Sequence, residues 1–164
     1  MKTCCFTGSR PESFPWKENE SDFRCVELKK QIFAAVSSLA DDGYCRFISG
    51  MARGADIFCA EAVIELMRER EGITLECAVP CPEQARSWSK LWKDRREAVL
   101  ERAGNVVVLC PHYTNFCMAK RNEYMVDSSD FVLAVWGGQT YGGTYGTIQK
   151  AKRAEKLVKI IRYD

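Results

Sequence analysis

Three stretches of this sequence gather residue types that bind phosphate. The first is Gly8-Ser9-Arg10-Pro11. A glycine lets backbone approach a ligand closely, a serine donates a hydrogen bond, and an arginine matches phosphate oxygens with two parallel donors. The same composition also makes an ordinary turn with a solvated arginine. The second is Ser49-Gly50-Met51-Ala52-Arg53-Gly54-Ala55-Asp56, which opens directly into a helical pattern. A helix N-terminus presents free N–H groups and the positive end of the helix dipole, both suited to an anion. The stretch is neither a Walker A loop nor a G-x-G-x-x-G fingerprint. Asp56 suits a ribose hydroxyl, or equally the first turn of the helix itself. The third, Gly137-Gly138-Gln139-Thr140-Tyr141-Gly142-Gly143-Thr144-Tyr145-Gly146-Thr147, holds five glycines and three threonines. It reads as a second phosphate cradle, with a helix expected from about Ile148.

Other candidate groups carry less. Pro80-Cys81-Pro82-Glu83-Gln84 precedes Trp88 and Trp92, four apart. On one helix that spacing shares a face, which suits packing first and a pocket wall second. Cys77, Cys81, Cys110, His112 and Cys117 are all metal-ligand types, but their spacings match no common zinc pattern, so no metal is expected. Lys120-Arg121-Asn122-Glu123 reads as a solvated helix on composition alone.

These stretches need a scaffold, and the chain supplies an alternation. β-rich runs fall at 3–7, 45–49, 73–79, 105–109, 130–136 and 157–161. Helical spacing separates most of them, with Leu28, Ile32, Ala35, Val36 and Leu39 recurring at three- and four-residue steps. Asp22 is placed to cap that helix. Gly43, Gly72 and Gly104 follow three helical stretches, where a left-handed residue is wanted. The strand runs are continuously apolar, as in Val106–Leu109 and Phe131–Val135, which suits strands covered on both faces. The fold class is therefore α/β: one doubly wound, mainly parallel sheet flanked by helices, spanning residues 1–164 as a single domain. Ligands of such sheets bind beyond the carboxyl ends of the strands. All three glycine-bearing stretches follow strands, so all three fall on that edge. Together they point to an anionic, phosphate-bearing ligand of nucleotide type.

Composition removes several alternatives. The 164 residues are 46% hydrophobic and 28% charged, too apolar for disorder. No apolar run approaches the roughly 20 residues that span a bilayer, and no membrane partner is expected. The N-terminus lacks a signal-peptide pattern. The net charge of +2 does not announce nucleic acid, and the basic residues from Lys150 to Arg162 read as a solvated face. Nine cysteines, most within apolar runs, behave as small hydrophobes, and a reduced cytoplasmic setting is expected.

In order and spacing these motifs resemble the YpsA-like branch of the SLOG superfamily, which also contains the DprA/Smf proteins and the LOG phosphoribohydrolases. The likeness rests on Gly8–Pro11, Ser49–Asp56, Pro80–Gln84 with Trp88, Arg121–Asp130 and Gly142–Thr144. It implies a Rossmann-like fold and a nucleotide-type ligand, of unspecified base, with no cofactor required. Gly8, Ser9 and Arg10 would hold one phosphate or the ribose edge. Gly50, Met51, Ala52, Gly54 and Asp56 would supply backbone donors and a ribose contact. Arg121 and Asn122 would close the site, and Gly142, Gly143 and Thr144 would cradle a second phosphate. Relatives in the superfamily often pair through helices flanking the sheet, so a homo-oligomer is compatible with the resemblance.

The resemblance to the LOG enzymes is incomplete. Their R-K-x-x-M finds Arg121 and Met125, but the lysine is Asn122. Their P-G-G-x-G-T-x-x-E loses its proline, and the glutamate position falls near Gln149 or Lys150. Cleaving an N-glycosidic bond passes through an oxocarbenium-like state that a carboxylate stabilises and an amide or ammonium does not. Asp56 or Asp127 could substitute. The expected role is therefore a nucleotide-binding sensor or adaptor, with a LOG-like glycosidase and a protein adaptor with a vestigial pocket as alternatives.

Overall fold

The computed structural model describes residues 1–164. Six strands and five main helices alternate: β1 (Lys2–Gly8), α1 (Phe23–Asp41), β2 (Tyr44–Ser49), α2 (Ala55–Glu69), β3 (Thr74–Val79), α3 (Lys90–Arg102), β4 (Asn105–Val108), α4 (Cys117–Asp127), β5 (Phe131–Trp136), α5 (Gly142–Arg153) and β6 (Leu157–Arg162). A 3₁₀ turn covers Pro11–Ser13. The strands form one sheet in the order β4-β3-β2-β1-β5-β6, and every neighbouring pair is parallel. This is the doubly wound, Rossmann-like arrangement.

Parallel neighbours need crossovers, and the crossovers put helices on both faces. From β1 the chain winds outward through β2, β3 and β4. It then returns to place β5 on the other side of β1, so the winding reverses between β1 and β5. Helices α1, α2 and α3 pack in series on one face, and α4 packs with α5 on the other. The first face holds a core of 28 buried apolar residues, including Phe6, Phe47, Ile57 and Leu66. The second holds 7, including Ile48, Met125 and Val132, so the first face dominates the apolar burial.

Local signals explain several boundaries. Asp22 caps α1, its carboxylate accepting from Arg24 N–H at 2.9 Å. Gly43 and Gly72 have positive φ, as a left-handed stop requires. Gly104 does not, and its N–H donates to the Leu75 carbonyl at 2.9 Å as the chain enters β4.

Three expectations are corrected. Helix α5 starts at Gly142, not near Ile148. Glycine disfavours helix, but buried Thr147, Ile148 and Ala151 anchor α5 to the sheet, and that packing outweighs propensity. Trp88 and Trp92 do not share a helix, because Ser89 caps α3 and Trp88 lies in the preceding turn. The Val106–Leu109 run is not covered on both faces. β4 is an edge strand, with Val106 43% and Val108 49% exposed.

Eight of the nine cysteines are buried and Cys45 is half-buried, with no disulfide among them. Burial pushes the Cys5 and Cys77 thiols up to about 12, so they stay protonated and act as packing atoms. No helix is long and apolar enough to cross a membrane.

Candidate functional site

The carboxyl ends of β1 and β5 meet at the point where the winding reverses, and a cleft of about 480 Å³ opens there. Its walls come from the turn after β1, the first turns of α2 and α4, and the segment from the end of β5 into α5.

Close backbone packing builds its floor. Gly8 ends β1 against α2, and a Cβ there would lie 2.4 Å from the Ala55 Cβ. Gly54 has φ of 87° and sits where a Cβ would lie 2.7 Å from the Ser9 carbonyl oxygen. Both positions need glycine for their geometry. The Ala55 N–H then donates to the Ser9 carbonyl at 3.0 Å, tying the β1 turn to the N-terminus of α2. Ser9 also accepts a hydrogen bond on its hydroxyl from Tyr163 Oη at 2.7 Å.

Gly8, Ser9, Arg10, Ala52, Asp56, Arg121, Asn122, Gly142, Gly143 and Thr144 line the cleft together. Gly50, Met51 and Gly54 do not, and the loop they share is not a set of free donors. The Met51 side chain is wholly buried in the core, and its N–H donates to Ser49 Oγ at 3.2 Å. The Ala52 N–H donates to Asp56 Oδ2 at 3.3 Å. Gly50 is roofed by Arg121, whose Nη1 donates to the Gly50 carbonyl at 2.5 Å. Gln84 Nε2 donates to the same carbonyl at 3.0 Å, and its Oε1 accepts from Arg96 Nε. The second loop therefore shapes the site more than it contacts it.

The charged groups are unusual for their surroundings. Arg121 is 5% exposed, not a solvated helix residue as its local composition predicts. Its Nε donates to Asn122 Oδ1 at 2.8 Å. Those bonds fix the guanidinium with one nitrogen, Nη2, left without a partner. Burial lowers its pKa and the Asp56 carboxylate raises it, yet an arginine remains charged. Asp56 is 5% exposed, and its Oδ1 has no hydrogen-bond partner although it is buried. Burial pushes the Asp56 carboxyl above the ordinary aspartate value, while Arg121, the Ala52 N–H and Arg10 pull it down incompletely. Arg10 is exposed at the mouth and its side chain forms no ion pair or hydrogen bond.

The N-terminus of α5 lines the same cleft. Tyr141 precedes it without a side-chain cap, so its first N–H groups are uncapped. Nothing lies within 4 Å of where a Cβ would stand on Gly142 or Gly143. The cleft thus holds a positive helix end and two guanidinium groups in one lining, a combination that attracts anions.

Several wall residues carry no sequence signal of a site. Met118 on α4, Trp136 at the end of β5 and Glu12 in the 3₁₀ turn are brought in only by the tertiary fold. Tyr141 and Gln139 lie inside the glycine-bearing stretch, and their position there is the one clue the sequence offers. Asp127 is exposed on α4, and neither Gln149 nor Lys150 lines the cleft. Of the metal-ligand types, Cys81, Cys110 and Cys117 come together as a small buried cluster. Cys77 sits in the main core, and exposed His112 meets Glu83 at 3.4 Å. No three such side chains are arranged to hold an ion.

Several known proteins are similar to this chain in sequence. The chain is 30% identical over 141 residues to the "Uncharacterized SPbeta prophage-derived protein YoqJ" of Bacillus subtilis (strain 168), covering 78% of this chain and 82% of that one. It is 25% identical over 161 residues to the "UPF0398 protein YpsA" of the same organism, covering 94% and 88%. A "UPF0398 protein" of Bacillus pumilus (strain SAFR-032) is 25% identical over 155 residues, covering 93% and 82%. A family model described as the YspA SLOG family matches residues 4–163. That span takes in β1 from Cys4, the other five strands whole, the turn after β1, the roofed loop before α2 and the glycines that open α5, and the chain belongs to the YspA SLOG family.

Proposed function

We propose that this protein binds a nucleotide-type ligand in the cleft between β1 and β5, as a sensor or adaptor. One observation carries the reading: the uncapped α5 N-terminus, with open space above Gly142 and Gly143, lines one cleft with Arg10 and the buried Arg121. Phosphate oxygens would accept from the α5 N–H groups and from the guanidinium groups. Asp56 lines the cleft, and its carboxylate would draw a ribose hydroxyl toward that wall. Ser9 is held by Tyr163 and would position the mouth of the cleft around Arg10.

The test is a thermal-shift screen with nucleoside mono-, di- and triphosphates, ADP-ribose, NAD and cyclic nucleotides. A ligand at 100 times its Kd stabilises the fold by about 2.7 kcal/mol, a shift of several degrees. Arg10→Ala and Gly143→Val should abolish that shift, the second by filling the space above the helix end. No shift with any of these compounds would overturn the reading.

A second reading is hydrolysis of an N-glycosidic bond in a nucleoside monophosphate, and Asp56 is the observation that favours it. It is a buried carboxyl in the wall of the cleft with one oxygen unpartnered, and the chain has no glutamate on α5 to take that role. Free base released by the wild type and not by Asp56→Asn would support it.

A further inference from the structure

A second lobe of about 380 Å³ adjoins the cleft and shares Arg10, Ala52 and Met118 with it. Its far wall is the turn before α3, with Ser87, Trp88 and Ser89. Trp88 differs from the chain's other three tryptophans. Trp16 stacks on Phe14 and meets Tyr163 and Arg24. Trp92 has Arg95 over its ring at 4.5 Å and donates Nε1–H to Glu18 at 2.6 Å. Trp136, which lines the first lobe, stacks on Tyr145 and has Arg162 over its ring at 5.3 Å. Trp88 packs one side on the main core, yet its ring has no aromatic or cationic partner and its Nε1–H donates to nothing.

We infer that this lobe is the base subsite: a nucleotide lies with its phosphates in the first lobe and its planar base stacked on Trp88, with Arg10 at the junction. The inference rests on the nucleotide reading above and adds the ligand's polarity. Five aromatic residues line the two lobes; Phe6 and Trp92 are buried, and Tyr141 stands at the α5 N-terminus where the phosphates are placed, which leaves Trp136 and Trp88 as platforms for the base. Trp136 is already engaged by Tyr145 and Arg162, whereas half-buried Trp88 lines a lobe of nucleoside size with no such partner. Stacking on an indole needs no particular base, and Ser87 has a hydroxyl free for an exocyclic group at the same wall. Arg10, unpaired at the junction, reaches both lobes and suits the phosphate nearest the ribose.

Calorimetric titration of the full chain with inorganic pyrophosphate and with ADP, GDP, CDP and UDP tests this directly. Pyrophosphate fills only the first lobe, so at least one nucleoside diphosphate should bind at least about tenfold tighter than pyrophosphate. Trp88→Ala should remove most of that gain and leave pyrophosphate affinity unchanged. Trp88→Phe should keep most of it and lose the ligand-induced quenching of tryptophan fluorescence. Pyrophosphate binding with no gain from any base, or a gain that survives Trp88→Ala, would overturn the base subsite alone. A Trp88→Ala protein that loses pyrophosphate and nucleoside diphosphates equally would also overturn it, since the indole would then be acting on the whole fold. Failure of pyrophosphate and all four diphosphates to bind wild type would overturn the base subsite together with the diphosphate placement it rests on, and the wider nucleotide screen alone decides the nucleotide reading.

Discussion

Burial and charge pull on Asp56 in opposite directions, and burial wins. Its carboxyl is pushed up because the surrounding protein solvates the anion poorly, and Arg121 restores only part of what water would supply. The folded state therefore holds this proton more tightly than the unfolded chain does. The favourable contribution is complete below the unfolded aspartate value of about 3.9 and is lost as pH rises through the raised folded value. Replacing the carboxyl by an amide removes that titration. The stability of the wild type relative to Asp56→Asn should fall as pH rises from about 4 and level off once Asp56 is ionised in both states. Melting curves of both proteins across pH 4–7 check this, and parallel profiles would contradict a desolvated carboxyl. Arg121 illustrates the same balance from the cationic side. Two directed hydrogen bonds, to the Gly50 carbonyl and Asn122, hold it where a flexible surface arginine would not stay.

At the scale of elements, the site depends on how closely β1 and α2 approach. Gly8 against Ala55 and Gly54 against the Ser9 carbonyl let a strand end and a helix start share one turn. Gly8→Ala should destabilise the fold by about 1–3 kcal/mol through overpacking, because the obstructing atom belongs to a neighbouring helix at its anchored end. Gly104→Ala is the matched control. Its nearest neighbour would be 3.7 Å away and its φ is not left-handed, so a change within about 0.5 kcal/mol is expected. Chemical denaturation of the two variants beside wild type measures both. The Arg121–Asp130 stretch shows how an element distributes its roles. Arg121 serves the cleft, whereas Tyr124 Oη donates to Glu76 at 2.8 Å, joining Arg46 and Asn105 around that carboxylate. Asp130 accepts from Thr3 N–H at 2.9 Å and aligns the start of β5 with β1.

For the molecule as a whole, the two faces of the sheet are unequal. The α1–α3 face buries four times as many core residues as the α4–α5 face. Elements with fewer buried apolar contacts open at lower free energy. Amides of α5 and β6 should therefore exchange with deuterium before those of α1, α2 and β2. A ligand bound at the α5 N-terminus should slow α5 most. Uniform exchange across both faces would contradict the first expectation. This inequality suits the proposed binding site, because the wall that would receive the anion belongs to the less anchored layer while β1 and α2, which bring Gly8, Ala55 and Asp56, belong to the more anchored one.

The alternation of apolar runs with helical spacing determined the α/β class and the six strands, because backbone periodicity and side-chain burial are local consequences of residue type. The Asp22 cap and the Gly43 and Gly72 stops were legible for the same reason. What the chain's local pattern could not carry was which of two neighbouring surfaces each residue meets. Met51 and Arg121 reverse their apparent roles: the loop residue is core, and the polar helix residue is buried over Gly50. Glycine content alone placed the start of α5 too late, since packing of Thr147, Ile148 and Ala151 outweighs propensity. The unengaged ring of Trp88, the partner-filled ring of Trp136 and the junction at Arg10 depend on segments far apart in sequence. Only tertiary structure decides such contacts, because hydrogen bonding, desolvation and stacking act between neighbours in space.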